Sequence, residues 1–372
     1  MSKGYEWLSI NEAFSNESEL RLERNINDYC SYGVKPLDEA LVCIMPNDLV
    51  VIGADSAVGK SELCLQIARH NLHKNKRVAL YHLEGGWQEA ITRMKWKDIC
   101  EEYYRTKSKH EFIDMDYRRW MLNQIKDKTI SDIECLIWDK YKNEYHNNLH
   151  FFSSKNGLTI DTFLMSLLDH HEWKQEITSL VAKIKFNLDL IIIDHLQYFS
   201  LTKGENEINE ITEILRQVKN ITDNYNVPVI LVSHLRKKGK DRGLPDQEDF
   251  YGSSNIPKIA STAITIAPDF TKEDLSEGIF PTWIRIVKSR IGIRPNYAML
   301  TNFIQAVKSY EERYKIYKLT SDGMVAAESL KTAELPRWAK SAFCDMIITG
   351  GRDDSGSEGK NWFGNRDKQK SR

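Results

Sequence analysis

The sequence of 372 residues has no run of about 20 apolar residues, the length that a membrane-spanning helix needs. Its first residues lead into polar sequence without the apolar stretch of a signal peptide. Its six cysteines are scattered without a Cys-x-x-Cys pair, which predicts reduced thiols rather than a disulfide framework or a zinc site. Together, these absences predict a cytoplasmic protein that does not contact a membrane.

An excess of charge of either sign is also missing. The chain has 52 Lys and Arg residues against 53 Asp and Glu residues, so its formal net charge is −1. Bulk charge therefore gives no sign of affinity for nucleic acid, and local contacts would have to supply it. Hydrophobic residues make up 41% and charged residues 28%, which is typical of a globular protein and excludes a mainly disordered chain.

Apolar runs of strand length alternate with helical patterns along the middle of the chain. Strands are predicted at 48–53, 77–83, 188–194 and 227–233, among other places. Several are apolar on both faces, which predicts an α/β fold with a mostly parallel sheet and helices on both of its faces. The segment 87–148 is rich in Trp, Tyr and charge without a strand pattern, and it predicts a helical insertion.

The segment 53–61, GADSAVGKS, joins the first strand to a helix. In a phosphate-binding loop (P-loop), backbone N–H groups of small residues close around phosphate oxygens, and the N-terminus of the next helix faces the anion. Lys60 would contact the β- and γ-phosphates, and the hydroxyl of Ser61 would bind Mg²⁺. The predicted nucleotide-binding residues are Ala54, Asp55, Ser56, Ala57, Val58, Gly59, Lys60 and Ser61.

Three further side chains stand at predicted strand ends. Asp194 closes an apolar strand and suits the magnesium ligand that ATP hydrolysis requires. Glu84 suits the group that accepts a proton from the attacking water, with a solvated loop acid as the alternative. His234 suits a contact to the γ-phosphate, with a structural role as the alternative.

This ordered set of motifs resembles the RecA-like motor domain of DnaB-type hexameric replicative helicases, including phage and Twinkle-like relatives. The similarity covers about 32–300, and its motifs are 54–61, 83–84, 157–159, 191–197, 226–235, 249–254 and 288–290. The resemblance implies ATP and Mg²⁺ as cofactors. It also implies that Lys60 and Ser61 bind phosphate and metal, that Asp194 helps to hold the metal, and that Glu84 is the catalytic base.

The resemblance further implies an active site shared between subunits. Lys288 and Arg290 match a Lys-x-Arg motif that reaches the γ-phosphate on the neighbouring subunit, with Arg290 as an arginine finger and His234 as the sensor of its own subunit. A homo-oligomeric ring, with a hexamer as the expected form, follows from this. Two departures are noted: Tyr251 stands where the family usually has Arg, and the family's N-terminal primase-interacting domain is expected to be absent.

A basic segment follows the predicted sensor strand. Residues 236–242 carry five basic side chains and one acid, a local charge of +4, and six such loops would line a pore with salt-dependent affinity for a phosphate backbone. Tyr251 could stack on a base. A solvated basic loop is the alternative. The predicted contacts to single-stranded DNA, or to RNA, are Arg236, Lys237, Lys238, Lys240, Arg242, Tyr251 and Gly252.

The predicted organisation is a leader or linker helix at 1–31, a RecA-like ATPase domain at 32–310, a C-terminal extension at 311–349 and a flexible tail at 350–372. The insertion and the tail are candidate surfaces for an unidentified protein partner.

Three functions compete at this point. The first is an ATP-dependent helicase that moves on single-stranded DNA. The second is a regulatory or assembly ATPase that acts on a protein or nucleoprotein complex without processive unwinding, which Tyr251 and the expected lack of an N-terminal domain favour. The third is a small-molecule kinase, for which the sequence shows neither a lid nor an acceptor site.

Overall fold

A computed structural model describes most of the chain up to residue 327. The described residues are 9–11, 13–15, 25–55, 58–106, 115–153, 158–168, 171–172, 185–199, 207–236, 243–252, 255–269, 278–290, 297–321 and 323–327. They belong to the first of two units, Met1–Leu330, and the second unit, Lys331–Arg372, lies outside them. The predicted tail at 350–372 therefore also lies outside the described residues.

The helices and strands are numbered here in chain order. The helices are α1 (Lys35–Leu41), α2 (Lys60–His73), α3 (Gly86–Thr106), α4 (Tyr117–Met121), α5 (Lys128–Asn143), α6 (Ile160–Leu168), α7 (Glu207–Tyr225) and α8 (Ile256–Ile259). The strands are β1 (Leu49–Ala54), β2 (Val78–His82), β3 (Leu149–Phe151), β4 (His171–Glu172), β5 (Lys185–Phe186), β6 (Leu190–Asp194), β7 (Val229–His234), β8 (Thr262–Pro268), β9 (Ile279–Lys288), β10 (Tyr297–Ile304), β11 (Ser309–Thr320) and β12 (Gly323–Ala327).

One mixed sheet contains ten of these strands, in the order β12-β11-β10-β9-β8-β1-β7-β6-β2-β3. Its five pairings from β8 to β3 are parallel, and its four pairings from β8 to β12 are antiparallel. The prediction of an α/β fold with a mostly parallel sheet is confirmed. The antiparallel arm continues the sheet through β11 and β12, beyond the predicted boundary at 310.

Helices cover both faces of the sheet, because alternate residues of each buried strand point to opposite sides. Val50 and Ile52 pack in the cluster that contains the apolar side chains of α1 and α2. Leu49 and Val51 pack on the other face, with side chains from α6 and α7. Within the predicted insertion, α3 and α5 enclose a separate apolar cluster around Trp96.

The parallel strands bring their carboxyl ends to one edge of the sheet. In the register of these strands, Ala54 at the end of β1 pairs with His234 at the end of β7. On the far side of β7, Asp194 at the end of β6 pairs with His82 at the end of β2. The polar ends of these four strands are therefore next to one another, as expected for a ligand site in a parallel sheet.

Candidate active site at the carboxyl ends of the parallel strands

The predicted P-loop follows β1, whose six residues are all buried. Gly59 precedes the first residue of α2 and has a φ of +89°, and a Cβ atom there would lie 3.0 Å from the Tyr310 hydroxyl oxygen. Glycine is therefore required at this position. Ser56 and Ala57 lie outside the described residues, whereas Ala54, Asp55 and Val58 lead into the N-terminus of α2.

Lys60 and His234 are in contact in the structure. The Nζ atom of Lys60 lies 2.7 Å from Nδ1 of His234. Burial lowers the pKa of Lys60, although the nearby carboxylates of Asp194 and Glu84 oppose that shift. Burial and the charge of Lys60 also lower the pKa of His234, so its ring is neutral near pH 7 and accepts a hydrogen bond from the ammonium group.

Asp194, the last residue of β6, is fully buried. Its Oδ2 atom accepts a hydrogen bond from Nδ1 of His82 at 3.1 Å. Burial alone would raise the pKa of Asp194, but hydrogen bonds from His82 and from the Ser61 side chain bring it below its usual value. Asp194 is therefore ionised at neutral pH, and its Oδ1 atom has no hydrogen-bond partner among the described residues.

The predicted base, Glu84, follows β2, and its side chain is 54% exposed. One of its carboxylate oxygens lies 3.8 Å from Nε2 of His195, the residue after Asp194. Burial, with His234 nearby, lowers the pKa of His195 to about 4, so this ring is neutral at pH 7. The rings of His195 and His234 meet edge to face with centroids 4.3 Å apart.

Lys60, Glu84 and His234 line a cavity of about 660 Å³. Ligand pockets of roughly 300–1,000 Å³ hold small molecules and cofactors, so the space is sufficient for a nucleotide. Its floor is the P-loop and the strand ends, and its walls include α3 and the antiparallel strands. The lining includes Gly59, Lys60, Ser61, His82, Glu84, Glu89, Arg93, His234, Phe280, Phe303 and Gln305.

Lys288 and Arg290 are not brought to this cavity. Lys288 donates a hydrogen bond from Nζ to the carbonyl oxygen of Lys258 at 2.8 Å. Burial raises the pKa of Asp48, and Arg290 is near enough to be one of the positive groups that oppose this shift. In the strand register, Lys288 pairs with Ala263 of β8, and Ala263 pairs with Val51 near the start of β1. Arg290 follows Lys288 by two residues, so it lies near the end of β1 opposite the P-loop.

The described part of the predicted nucleic-acid site adjoins His234. The backbone N–H of Tyr251 donates to the carbonyl oxygen of His234 at 2.9 Å, and that of Arg236 donates to Asp249 at 2.7 Å. The Tyr251 ring is exposed. Gly252 has a φ of +89° and no room for a side chain. Lys237, Lys238, Lys240 and Arg242 lie outside the described residues.

Sequence reasoning did not single out His82, His195, Arg93 or Tyr310 as part of this region. His82 and His195 each lie within two residues of a predicted site residue, and this closeness in sequence could have identified them as part of the site. Tyr310 comes from β11 and has no local signal. Within the described ranges, no group of three or more His, Cys, Asp or Glu residues could hold a metal ion, and no helix is long and apolar enough to cross a membrane.

A P-loop on β1, an acidic strand end on β6 and a further strand, β7, between them define a RecA-like P-loop protein. The profile described as "DnaB-like helicase C terminal domain" matches residues 30–312. The chain belongs to this family, as the resemblance in its sequence predicted.

The sequence is also similar to named helicases. It is 26% identical over 255 residues to a probable plasmid replicative DNA helicase of Chlamydia psittaci, a match that covers 66% of this chain and 48% of the relative. It is 25% identical over 264 residues to the replicative DNA helicase DnaB of Haemophilus influenzae, covering 70% and 50%. The chain thus spans about half the length of the curated relatives it matches.

Solved structures show the same fold. One of them, described as an ATPase domain, superposes with a TM-score of 0.64 at 19% identity, covering 84% of this chain and all of that one. A DnaB-like replicative helicase, reported with its interactions with primase, gives a TM-score of 0.63 at 18% identity and covers 81% and 68%.

Proposed function

We propose that this protein is the motor of an ATP-dependent, DnaB-like helicase that forms a ring and moves along single-stranded DNA. The observation that carries the proposal is the separation of Lys60 and Arg290, near opposite ends of β1. A γ-phosphate bound at one end cannot be reached from the other end of the same chain. A second copy would therefore supply the arginine, which supports a ring with a hexamer as its expected form.

ATP and Mg²⁺ fit the side chains of the cavity. The Oδ1 atom of Asp194 is buried without a hydrogen-bond partner among the described residues, and Ser61 is near enough to help lower the pKa of this carboxyl group. Mg²⁺ prefers such hard oxygen ligands and retains waters and phosphate oxygens as its other ligands. When bound there, it would neutralise charge on the β- and γ-phosphates.

Each of the other proposed steps of ATP hydrolysis is assigned to a side chain of this protein. Lys60 exchanges its contact with His234 for the β- and γ-phosphates, which frees the His234 ring to contact the γ-phosphate as the sensor. Glu84 accepts a proton from the attacking water, and its exposed carboxylate stands beside the neutral ring of His195. Lys288 and Arg290 of the neighbouring copy stabilise the charge that develops on the transferred phosphoryl group.

The contacts with DNA are proposed next to the sensor. Arg236 follows β7 directly, and Tyr251 is hydrogen-bonded to the backbone of His234. The exposed Tyr251 ring provides a surface on which a base can stack, and Arg236 offers a charge to the phosphate backbone. Movement of His234 on nucleotide turnover would thus be passed directly to the residues that hold the strand.

A regulatory or assembly ATPase remains the second candidate, and one observation favours it. The insertion exposes large apolar side chains in α4, α5 and the residue after α4, which suits a protein partner. These side chains are Met121, Leu122, Leu136 and Trp138.

ATP hydrolysis, measured with and without single-stranded DNA at low and moderate salt, separates the two candidates. Strong stimulation that fades with salt supports the helicase motor. Robust hydrolysis that is indifferent to DNA and RNA overturns it and favours the assembly ATPase. Phosphate transfer to a small-molecule acceptor would overturn both.

A further inference from the structure

We propose that His82 is a positioning residue for the metal ligand Asp194, which it holds by one carboxylate oxygen so that the other faces the nucleotide. This inference rests on the proposed ATP site and adds a residue to it. His82 lines the cavity, but in this role it is not itself a metal ligand. It acts through the orientation of Asp194.

The pairing follows from strand register. β2 and β6 are adjacent and parallel, and His82 pairs with Asp194 at their carboxyl ends. Both side chains are buried, with His82 4% exposed and Asp194 0% exposed. The Nδ1 atom of His82 lies 3.1 Å from Oδ2 of Asp194, which leaves Oδ1 as the oxygen without a hydrogen-bond partner among the described residues.

The hydrogen bond also sets the tautomer of the histidine ring. An ionised carboxylate only accepts hydrogen bonds, so the proton of a neutral His82 must be on Nδ1. Nε2 then carries a lone pair, and it has no hydrogen-bond partner within the described ranges. The His82 ring therefore acts toward Asp194 as a hydrogen-bond donor, through Nδ1 alone.

The ring is also fixed from its other side. A Cβ atom added to Gly85 would lie 2.9 Å from Nε2 of His82 and 2.1 Å from a carboxylate oxygen of Glu89. Gly85 follows Glu84 in the turn after β2, so this turn closes over the ring. His82 is thus held between the metal carboxylate and the turn that carries the proposed base.

A hydrogen bond of this kind is expected to affect metal binding. Partners that orient a ligating side chain fix the direction of its lone pairs, and their loss typically costs about 10- to 100-fold in metal affinity or activity. Without His82, the Asp194 carboxylate would be free to turn its second oxygen away from the nucleotide. ATP itself would still be held through Lys60 and the P-loop.

The experiment compares His82→Ala, His82→Asn and His82→Gln in the full chain. An Asn amide nitrogen takes the place of ring Nδ1, and a Gln amide nitrogen takes the place of Nε2. Two affinities are measured for each: that for a fluorescent ATP analogue without metal, and that for Mn²⁺ in the presence of a non-hydrolysable ATP analogue, by electron paramagnetic resonance of free Mn²⁺.

His82→Ala and His82→Gln are expected to weaken Mn²⁺ binding by about 10- to 100-fold, whereas His82→Asn is expected to keep most of the Mn²⁺ affinity. The affinity for the nucleotide without metal is expected to stay unchanged in all three variants. His73→Ala is the matched control, because its Nε2 pairs with Oδ1 of Asp98 at the same distance of 3.1 Å but outside the cavity. It is expected to leave Mn²⁺ affinity unchanged.

Three results would overturn the inference: unchanged Mn²⁺ affinity in His82→Ala, equal restoration by Gln and Asn, or a parallel loss of metal-free nucleotide binding. If the Ala variant does not fold, the difference in Mn²⁺ affinity between the Asn and Gln variants still tests the inference.

Lys60→Ala distinguishes a failure of the inference about His82 from a failure of the proposed ATP site. If that variant still binds the nucleotide and Mn²⁺ normally, the site itself is wrongly assigned.

Discussion

Lys60 and His234 are joined by a hydrogen bond of 2.7 Å between Nζ and Nδ1. The carbonyl oxygen of the same histidine accepts a hydrogen bond from the backbone N–H of Tyr251. Two successive hydrogen bonds therefore link Lys60 to the backbone of Tyr251, whose exposed ring is proposed to contact DNA. Lys60 and Tyr251 are thus both in direct contact with the same residue, His234.

Lys60→Ala is expected to abolish ATP turnover and to weaken nucleotide binding. The lost charge-assisted contact with the β- and γ-phosphates corresponds to about 1.5–3 kcal/mol, or roughly 10- to 100-fold in affinity. Titration with a fluorescent nucleotide and a phosphate-release assay measure the two effects. Normal turnover in this variant would remove the P-loop assignment.

Glu84→Gln is expected to bind ATP normally but to hydrolyse it about 10²- to 10⁴-fold more slowly, because the amide cannot accept a proton from water. Single-turnover hydrolysis measures the chemical step. Glu89→Gln is the matched control, since Glu89 lines the same cavity and pairs with Arg93. Equal losses in both variants, or none in Glu84→Gln, would place the base elsewhere.

Arg290→Ala alone is expected to lose about 10³- to 10⁵-fold in turnover, as loss of an arginine finger does. Mixing it with Lys60→Ala is expected to restore part of the activity, because one kind of interface then contains both Lys60 and Arg290. Phosphate release is measured across mixing ratios. The double variant Lys60→Ala/Arg290→Ala should give no rescue, and failure of the single variants to complement would contradict a shared site.

Tyr251→Ala is expected to weaken binding of single-stranded DNA by about 1–3 kcal/mol, the usual effect of losing one stacking contact. Tyr251→Phe keeps the ring and should keep the affinity. Fluorescence anisotropy with a labelled oligonucleotide at two salt concentrations measures both. Equal affinity of the Ala and Phe variants would exclude stacking at this position.

Stability is expected to depend on pH through His70, which is far from the cavity. Burial, with Lys74 nearby, lowers its pKa from 6.5 to about 4, so the unfolded chain binds its proton before the folded chain does. The free energy of unfolding should therefore fall as pH drops from 6.5 towards 4. Urea unfolding at pH 7, 6 and 5 measures this fall.

His70→Gln should make that dependence shallower, because a glutamine does not titrate. The ring of His70 lies 2.9 Å from the Ser31 hydroxyl, and an amide can replace this contact. An identical pH dependence in wild-type and variant chains would show that other groups are responsible.

The parallel half of the fold was predictable because β1, β6 and β7 are continuous apolar runs, and polar residues such as Asp194 and His234 mark where β6 and β7 end. The antiparallel arm beyond β9 was not. β11 alternates charged and partly buried residues, since only one of its faces packs on the core. Such a half-exposed strand lacks the apolar run by which the buried strands were recognised.

The candidate site divides in the same way. Lys60, Asp194 and Glu84 were found because the loop and the strand ends carry local patterns. The role of His82 depends on its register with Asp194, which is 112 residues away along the chain. No local pattern encodes that pairing, because it arises only when β2 and β6 become neighbours in the sheet.

The positions of Lys60 and Arg290 at opposite ends of β1 have a consequence for behaviour on dilution. Each chain carries the first half of one proposed site and the second half of another. When copies separate at low concentration, turnover per chain should fall towards zero while nucleotide still binds to each P-loop. Binding would then persist at concentrations where hydrolysis has stopped, and the ratio of the two would report how many copies remain assembled.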